Sequence, residues 1–305
     1  MRKHFFLINP AAGKRDATRT ILEKLSSLPS SLSVSHALTK APGHAHELIR
    51  EALASLESGD ELTLYACGGD GTLFEALNAG FGDPRFSLAS VPVGSGNDFI
   101  KSFPEYAAAD FLDLPRLVSG KTVAVDSLLA GGYHSLNILS AGFDAAVCRY
   151  MTKYKRLPLV GGKGAYDLAL VDALLHSRKH FFRLIADGEE IEDGTHPHLF
   201  VIAANGRYYG GGFKASPRSV LDDGLMDVIT IPTLSIPRFL RLVGYFKRGE
   251  HLENPLLPFV RHSLRKSLRI LSPEEISLNL DGEVVSLRDP EIRILPASVR
   301  VILPA

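Results

Sequence analysis

The chain has 305 residues, more than a single hydrophobic core usually organises, so two domains are expected. Lysine plus arginine and aspartate plus glutamate number 34 each, and this balance argues against nucleic acid as a partner. The two cysteines, Cys67 and Cys148, lack CxxC spacing and indicate reduced thiols in a cytoplasmic protein. No uninterrupted run of about 18 apolar residues occurs, so no membrane span is predicted. The apolar run near the first residue is too short for a signal peptide.

The first part of the chain alternates short apolar strands with helical stretches, which is typical of a parallel sheet covered by helices. The predicted strands are residues 4–9, 32–38, 62–67 and 87–93. The predicted helices are residues 16–28, 43–56 and 71–79. These are βα units of an α/β domain.

From about residue 121 the pattern changes to hairpins and predicts a mostly antiparallel β-sandwich. Strand pairs are expected at 121–130 with 133–142, and at 180–187 with 198–205, followed by strands at 225–231, 264–271, 276–280 and 299–303. Helical insertions are expected at 164–177 and 236–247. The predicted domains are residues 1–125 and 126–305, and the last strand could belong to either one.

A glycine-rich loop, CGGDGT at 67–72, lies between a predicted buried strand and a helix. Glycine lets backbone N–H groups approach a phosphate, and the helix N-terminus adds a positive dipole end. An aspartate in such a loop would repel a bare phosphate, so Asp70 is interpreted as a Mg²⁺ partner. The alternative is a tight turn in which Asp70 caps the helix.

Two further loops follow predicted strands at the same edge of the sheet. VPVGSGNDF (91–99) brings Asn97 and Asp98 to the end of one strand, and NPAAGK (9–14) follows the first strand. Ligands of open α/β sheets bind outside the carboxyl ends of the strands, so the three loops are expected to converge. Asn9 and Lys14 are then candidate phosphate contacts, although Lys14 could equally be a solvated surface lysine.

The sequence lacks the GxxxxGKS/T phosphate loop, the GxGxxG dinucleotide fingerprint and the GxSxG nucleophile elbow. These absences argue against an oxidoreductase and a serine hydrolase.

The ordered motifs resemble those of the soluble bacterial diacylglycerol kinase group, which is related to the diacylglycerol, sphingosine and ceramide kinase catalytic domains. The motifs are NPAAGK (9–14), GGDGT (68–72), GSGNDF (94–99), SAGFDA (140–145), NGRYYGGGF (205–213), LDDGLMDV (221–228) and LDGE (280–283). The resemblance covers essentially the whole chain. It implies an α/β nucleotide domain of the NAD kinase/diacylglycerol kinase type followed by a β-sandwich, with the active site in the cleft between them. It also implies ATP as phosphate donor and Mg²⁺ as cofactor.

The resemblance assigns roles to individual residues. It implies that Asp70 and Asp98 organise catalytic Mg²⁺, that Glu283 is the general base on the lipid hydroxyl, and that Asp126 joins the same acidic network. The expected nucleotide contacts are Asn9, Lys14, Gly68, Gly69, Gly71, Thr72, Gly94, Ser95 and Asn97. The expected structural Mg²⁺ site is formed by Asp223 with backbone groups of Val220 and Leu225.

The sequence thus predicts a lipid kinase that binds the membrane surface transiently, with diacylglycerol as the expected substrate. Phosphatidylglycerol, sphingoid bases and ceramide are alternative substrates. The sequence also allows a homo-oligomer. Two segments with interleaved basic and apolar residues, 236–247 and 149–163, are candidate membrane contacts. The alternatives are a kinase of a soluble hydroxyl compound, such as an NAD or sugar phosphate kinase, and a non-catalytic nucleotide or lipid sensor.

Overall fold

A computed structural model describes residues 1–154 and 162–305. The chain divides into two compact units. Unit 1 comprises Met1–Ser127 and Pro296–Ala305, and unit 2 comprises Leu128–Leu295.

The strands β1 to β16 are, in order, Arg2–Ile8, Ser33–Leu38, Glu61–Gly68, Phe86–Pro92, Lys121–Ala130, Tyr133–Ser135, Ile138–Gly142, Arg183–Ala186, Glu189–Asp193, His198–Ala204, Met226–Pro232, Arg261–Arg265, Ser267–Leu271, Ile276–Leu280, Glu283–Leu287 and Glu291–Leu303. The helices α1 to α7 are Thr18–Ser26, His44–Ala54, Asp70–Gly80, Leu114–Val118, Phe143–Tyr154, Gly162–His176 and Ile236–Arg248. Short 3₁₀ helices cover Phe99–Ser102 and Asp110–Leu112.

Unit 1 is built on a parallel sheet in the order β2-β1-β3-β4, with the end of β16 parallel to β4. All of β4, and β3 after its first residue, are buried. Continuous apolar runs of this kind are typical of parallel strands covered on both faces. The predicted α/β domain with a parallel sheet is confirmed.

Unit 2 contains an antiparallel sheet in the order β12-β11-β10-β7-β14-β15. A second antiparallel set joins β9, β8, β13 and the first residues of β16. The predicted β-sandwich is therefore confirmed as a fold class.

Three local predictions for unit 2 are wrong. The segment predicted as one strand over 264–271 is divided at Lys266 into β12 and β13, which lie in different sheets. The segments 180–187 and 198–205 do not form a hairpin, because β8 pairs with β9 across the turn at Asp187 and Gly188 whereas β10 pairs with β7 and β11. The segment predicted as one strand over 133–142 is divided into β6, which pairs with β5, and β7, which lies in the other sheet. Helix α5, which follows β7, was not predicted.

Helix α7 buries the apolar stripe formed by Phe239, Leu242 and Phe246 in the core of unit 2. This is ordinary amphipathic packing, and it removes most of the apolar surface on which a membrane contact at 236–247 was predicted. In the other candidate segment, residues 155–161 lie outside the described part of the chain, while Arg149 and Lys153 of α5 are exposed.

Candidate active site

The loop after β1 is joined to the loop after β3 by Asn9. Its backbone N–H donates to Cys67 O at 3.0 Å, and its side-chain Nδ2 donates to Thr72 Oγ1 at 3.0 Å. Its Oδ1 accepts the Ala11 N–H at 3.0 Å. Asn9 thus holds the NPAAGK and GGDGT loops against each other.

Glycine is required where these loops approach the loop after β4. A Cβ on Gly13, which has φ +78°, would lie 2.5 Å from Val93 O. A Cβ on Gly94 would lie 2.3 Å from the Cα of Gly69. Such distances exclude any side chain, so the three loops pack backbone against backbone. The structure brings together the three glycine-rich loops at the carboxyl ends of β1, β3 and β4.

Asp70 links the GGDGT and GSGNDF loops. Its N–H donates to Gly96 O at 3.2 Å, and its Oδ1 accepts the Asp98 N–H at 2.8 Å. Its Oδ2 lies over Gly96, where a Cβ would come within 2.7 Å. Gly69 occupies the N-cap of α3 and Asp70 is the first helical residue, so the alternative reading of Asp70 as the cap is wrong.

Asp98 lies deeper than Asp70, with 2% of its surface exposed. Its Oδ1 is 2.6 Å from Nζ of Lys101, one turn further along the 3₁₀ helix. A buried carboxylate needs such a partner, because an uncompensated charge costs several kcal/mol. The Asp98 carboxylate therefore already has one cation beside it.

The other predicted nucleotide contacts of unit 1 differ in exposure. Asn97 uses its Nδ2 to donate to Gly94 O at 2.9 Å, which closes the GSGN turn. Thr72 packs against Gly68, and a Cβ at that glycine would lie 2.2 Å from Thr72 Oγ1. The remaining members are exposed or half-buried: Lys14, Ser95 and Gly71.

Asp126 has a contact that its sequence position did not predict. It is buried, and its Oδ1 accepts the Ala297 N–H at 2.7 Å. Ala297 has φ +48°, a conformation that costs a non-glycine residue roughly 1–3 kcal/mol. One oxygen of Asp126 therefore stabilises a bend in β16.

The predicted structural metal loop forms a small turn in unit 2. Asp223 Oδ1 accepts the Leu225 N–H at 3.0 Å around Gly224, which has φ +71°, and Val220 is exposed. Within residues 1–154 and 162–305, no three His, Cys, Asp or Glu side chains form a group that could hold a metal ion. A site here would therefore depend on Asp223 together with backbone carbonyls.

Glu283 is exposed and opens β15, opposite Leu280 in the ladder with β14. The turn before it is held at two points. The Asp281 carboxylate accepts the N–H groups of Leu136, Asn137 and Ile138 at 2.8, 3.2 and 2.8 Å. The Gly282 N–H donates to Asn279 Oδ1 at 2.8 Å. Burial raises the pKa of the Asp281 carboxyl, and the N–H donors counteract part of that rise.

Sequence reasoning missed two features of unit 2. The tripeptide Asp-Gly-Glu occurs twice, at 187–189 and at 281–283, and a search for repeats of the motif would have found the first copy. The SAGFDA and NGRYYGGGF motifs were used only for the resemblance, yet Asp144 and Tyr209 from them lie together near Asn279. No sequence signal indicates that contact, because it depends on strand pairing.

Comparison with known proteins agrees with this architecture. A model described as the diacylglycerol kinase catalytic domain matches residues 3–130, and one described as the YegS C-terminal NAD kinase beta sandwich-like domain matches residues 137–303. A Pseudomonas fluorescens protein named as a probable YegS-like lipid kinase is 32% identical over 280 residues, covering 88% of this chain and 84% of that protein. The diacylglycerol kinase of Bacillus subtilis (strain 168) is 24% identical over 309 residues, covering 100% and 97%.

Solved structures show the same fold. A diacylglycerol kinase structure from Bacillus anthracis str. Sterne superposes with a TM-score of 0.68 at 22% identity, over 98% of this chain and 96% of that one. Yeast NADH kinase complexed with NADH gives a TM-score of 0.50 at 11% identity, over 99% and 84%.

The fold and the matching models define a protein of the kinase class. More particularly, the chain belongs to the family of diacylglycerol kinases and YegS-like lipid kinases.

Proposed function

We propose that this protein transfers the γ-phosphate of ATP to a lipid hydroxyl, with diacylglycerol as acceptor and phosphatidic acid as product. The observation that carries the proposal is the convergence of three glycine-rich loops around Asp70 in unit 1. Their exposed backbone and the N-terminus of α3 suit phosphate oxygens. The family relationship supplies the lipid as the class of acceptor.

The donor set of unit 1 fits a magnesium ion. Mg²⁺ prefers carboxylate oxygens, and Asp70 supplies a carboxylate where the GGDGT and GSGNDF loops meet, beside the Gly96 backbone. Mg²⁺ would supply charge neutralisation at the phosphate oxygens. Asp98 Oδ1 already accepts from Lys101 at 2.6 Å, so Asp98 would share its carboxylate between Lys101 and the ion. Asp70 is therefore the better supported of the two partners.

Glu283 is assigned as the base that accepts the proton of the lipid hydroxyl. Its side chain is exposed at the start of β15, and its turn is anchored by Asp281 and Asn279. A base must be held within hydrogen-bond reach of its substrate, and an anchored turn lowers the entropic cost of holding it. The proposal requires that the loops of unit 1 and Glu283 of unit 2 serve one reaction, as the resemblance implies. Asp126 is proposed as a further member of the acidic network, as the resemblance implies.

A lipid substrate requires contact with a membrane surface, and α6 offers an apolar face for it. Ala165, Ala169 and Ala173 face the interior, while Leu168, Val171 and Leu175 are 44%, 54% and 58% exposed. A contiguous exposed stripe of this kind is unusual on a surface that meets only water. The exposed Arg149 and Lys153 of neighbouring α5 suit anionic headgroups. Of the described helices, none has the length and apolarity to cross a bilayer. We propose that the protein is cytoplasmic and binds membranes peripherally and transiently through this face of α6.

Vesicle sedimentation tests this surface independently of activity. Replacing Leu168, Val171 and Leu175 together by glutamine should abolish sedimentation with anionic vesicles, whereas Leu240→Gln on α7, which is 60% exposed, should not. Equal losses in both variants would exclude α6 as the specific contact.

The function itself is tested by transfer of labelled phosphate from ATP with Mg²⁺. The acceptors are diacylglycerol, phosphatidylglycerol, a sphingoid base and ceramide in mixed micelles, compared with NAD and sugar phosphates in solution. Labelled phosphatidic acid, absent with Asp70→Asn, is the expected product. Label on a soluble acceptor would establish the soluble-substrate kinase instead, and label on no acceptor would favour a sensor.

The structural magnesium loop has its own test in thermal unfolding. An ion bound only by the native state raises the melting temperature by mass action, so added Mg²⁺ should stabilise the parent and not Asp223→Ala. Equal Mg²⁺-induced shifts in the two proteins would exclude a site at Asp223.

A further inference from the structure

A polar cluster in unit 2 lies directly behind the turn that carries Glu283. Ser140 and Asn279 are opposite each other in the antiparallel ladder of β7 and β14, so their side chains are neighbours on one face. Both donate to Asp144, which lies in the first turn of α5. Ser140 Oγ makes a short hydrogen bond to Oδ2, and Asn279 Nδ2 lies 3.4 Å from the same oxygen.

Asp144 also contacts the NGRYYGGGF segment. Tyr209 lies close enough to the Asp144 carboxylate to be affected by its charge. Burial raises the pKa of Tyr209, and the negative charge of Asp144 raises it further. Burial likewise raises the pKa of the Asp144 carboxyl, against the pull of Ser140. Residues of two separate motifs, together with Asn279 immediately before LDGE, therefore meet at one carboxylate.

One further hydrogen bond connects this cluster to the turn at Asp281 and Gly282. Asn279 donates through Nδ2 towards Asp144 and accepts through Oδ1 from the Gly282 N–H at 2.8 Å. An amide can make both bonds only in one of its two flipped orientations. Because Asn279 Nδ2 donates to Asp144 Oδ2, the amide is held in the orientation that points Oδ1 at Gly282.

We propose that Asp144 is a positioning residue for the reaction: by fixing the orientation of Asn279 it fixes the turn that presents Glu283. This inference rests on the proposed function for its catalytic meaning, since Glu283 is the base assigned there. Its structural part concerns Gly282 alone and can be tested without activity.

The first readout is hydrogen exchange of the Gly282 amide. Asp144→Asn removes the acceptor preference and should speed that exchange at least several-fold, while the Gly188 amide of the other Asp-Gly-Glu turn stays unchanged. Asn279→Asp should act similarly, because two facing carboxylates repel. The double variant Asp144→Asn with Asn279→Asp restores one amide and one carboxylate and should recover slow exchange. Unchanged Gly282 exchange in Asp144→Asn would overturn the proposal.

The second readout is turnover in the same proteins. Asp144→Asn should lower kcat about 10- to 100-fold and leave KM for ATP unchanged. Losses of this size are typical when a residue that orients a metal ligand through a hydrogen bond is replaced. In a Glu283→Gln background the same substitution should have no further effect, because both changes act through one group. Equal losses in the two backgrounds would show an independent structural role and overturn the proposal. Asp187→Asn is the matched control and should retain full turnover.

The two measurements distinguish the positioning role of Asp144 from the catalytic role of Glu283. Full turnover in Glu283→Gln alone would overturn the base assignment, whereas unchanged Gly282 exchange would overturn the positioning role alone. If Asp144→Asn does not fold, Asn279→Ala breaks the same link and is measured in its place. It should speed Gly282 exchange and lower kcat, and the absence of either effect would overturn the proposal.

Discussion

Two hairpins of unit 2 carry the same tripeptide, Asp-Gly-Glu, in the same backbone conformation. In the first, Asp187 and Gly188 have φ of 50° and 83°, and in the second, Asp281 and Gly282 have φ of 50° and 106°. Positive φ at both central residues is what a two-residue hairpin turn requires. In both, the aspartate carboxylate accepts backbone N–H groups from another segment. The local sequence thus produces the same turn twice.

The surroundings of the two glutamates differ. Glu189 pairs with Arg265 at 3.0 Å, a surface contact that neutralises its charge. Glu283 follows a glycine whose N–H is held by Asn279, and behind it lies the buried Asp144 cluster. A motif of three residues therefore specifies a turn, and the neighbours that the fold brings decide whether its glutamate has a chemical role.

The largest difference is expected in turnover of Glu283→Gln and Glu189→Gln. If Glu283 is the base, its glutamine variant should lose roughly 10²- to 10⁴-fold in kcat, the usual contribution of general-base catalysis, while ATP affinity hardly changes. Glu189→Gln should keep parental kcat. Steady-state kinetics at saturating ATP measure kcat of both variants. A parallel loss of ATP binding in Glu283→Gln would indicate that Glu283 contacts the metal or the phosphates instead.

The next difference concerns the stability contributed by the two aspartates. Asp281→Ala leaves three backbone N–H groups without their acceptor in a part-buried place, and we expect a loss of about 3–5 kcal/mol in the free energy of unfolding. Asp187→Ala frees the N–H groups of Lys266 and Ser267, which are exposed and can bind water, so about 1–2 kcal/mol is expected. Denaturant titration measures both values, and equal losses would contradict the ranking.

Alanine substitutions at Gly188 and Gly282 should reduce stability equally but affect turnover differently. A Cβ at Gly188 or Gly282 would meet no atom within 4 Å, so the cost of alanine is the positive φ alone, roughly 1–2 kcal/mol at either site. Only Gly282→Ala should also lower turnover, because it disturbs the backbone next to Glu283. Equal melting temperatures of the two variants, with a lower kcat only for Gly282→Ala, would support the functional difference between the two turns. Equal kcat values would contradict it.

The smallest effect is expected at Arg265. Its pair with Glu189 involves a glutamate side chain that is 67% exposed, and such surface pairs contribute about 0.2–1 kcal/mol. Arg265→Gln should therefore change the free energy of unfolding by less than about 1 kcal/mol and leave turnover unaffected. A loss of turnover would show that the first hairpin also takes part in the reaction.

Much of unit 1 could be predicted from sequence because its signals are local. Buried apolar runs followed by glycine loops define βα units, and parallel strands necessarily bring their carboxyl ends to one edge. The convergence of the Asn9, Asp70 and Asn97 loops follows from that rule. The pairing of Asp98 with Lys101, three residues further along the chain, was not predicted because Asp98 was interpreted only as a metal partner.

Unit 2 was less predictable because its contacts join distant segments. The turn at Asp187 and Gly188 had a sequence signal, yet β9 after it was not predicted and the strand before it was assigned to the wrong partner. Helix α5 starts directly after β7 at Gly142, whose φ is +118°, without a polar linker to mark the change. Register and sheet membership are decided by packing between strands that are far apart in sequence.

The sequence by itself determined the fold class, the family and the local turns, since these depend on hydrophobic periodicity, glycine placement and ordered motifs. Only the tertiary structure decided which of two identical Asp-Gly-Glu turns lies against a buried carboxylate and which pairs with a surface arginine. The physical reason is that a turn is specified by φ and ψ preferences within a few residues. The contacts around it depend on residues distant in sequence, Asp144 behind the second turn and Arg265 beside Glu189, which the packing of the unit brings into place.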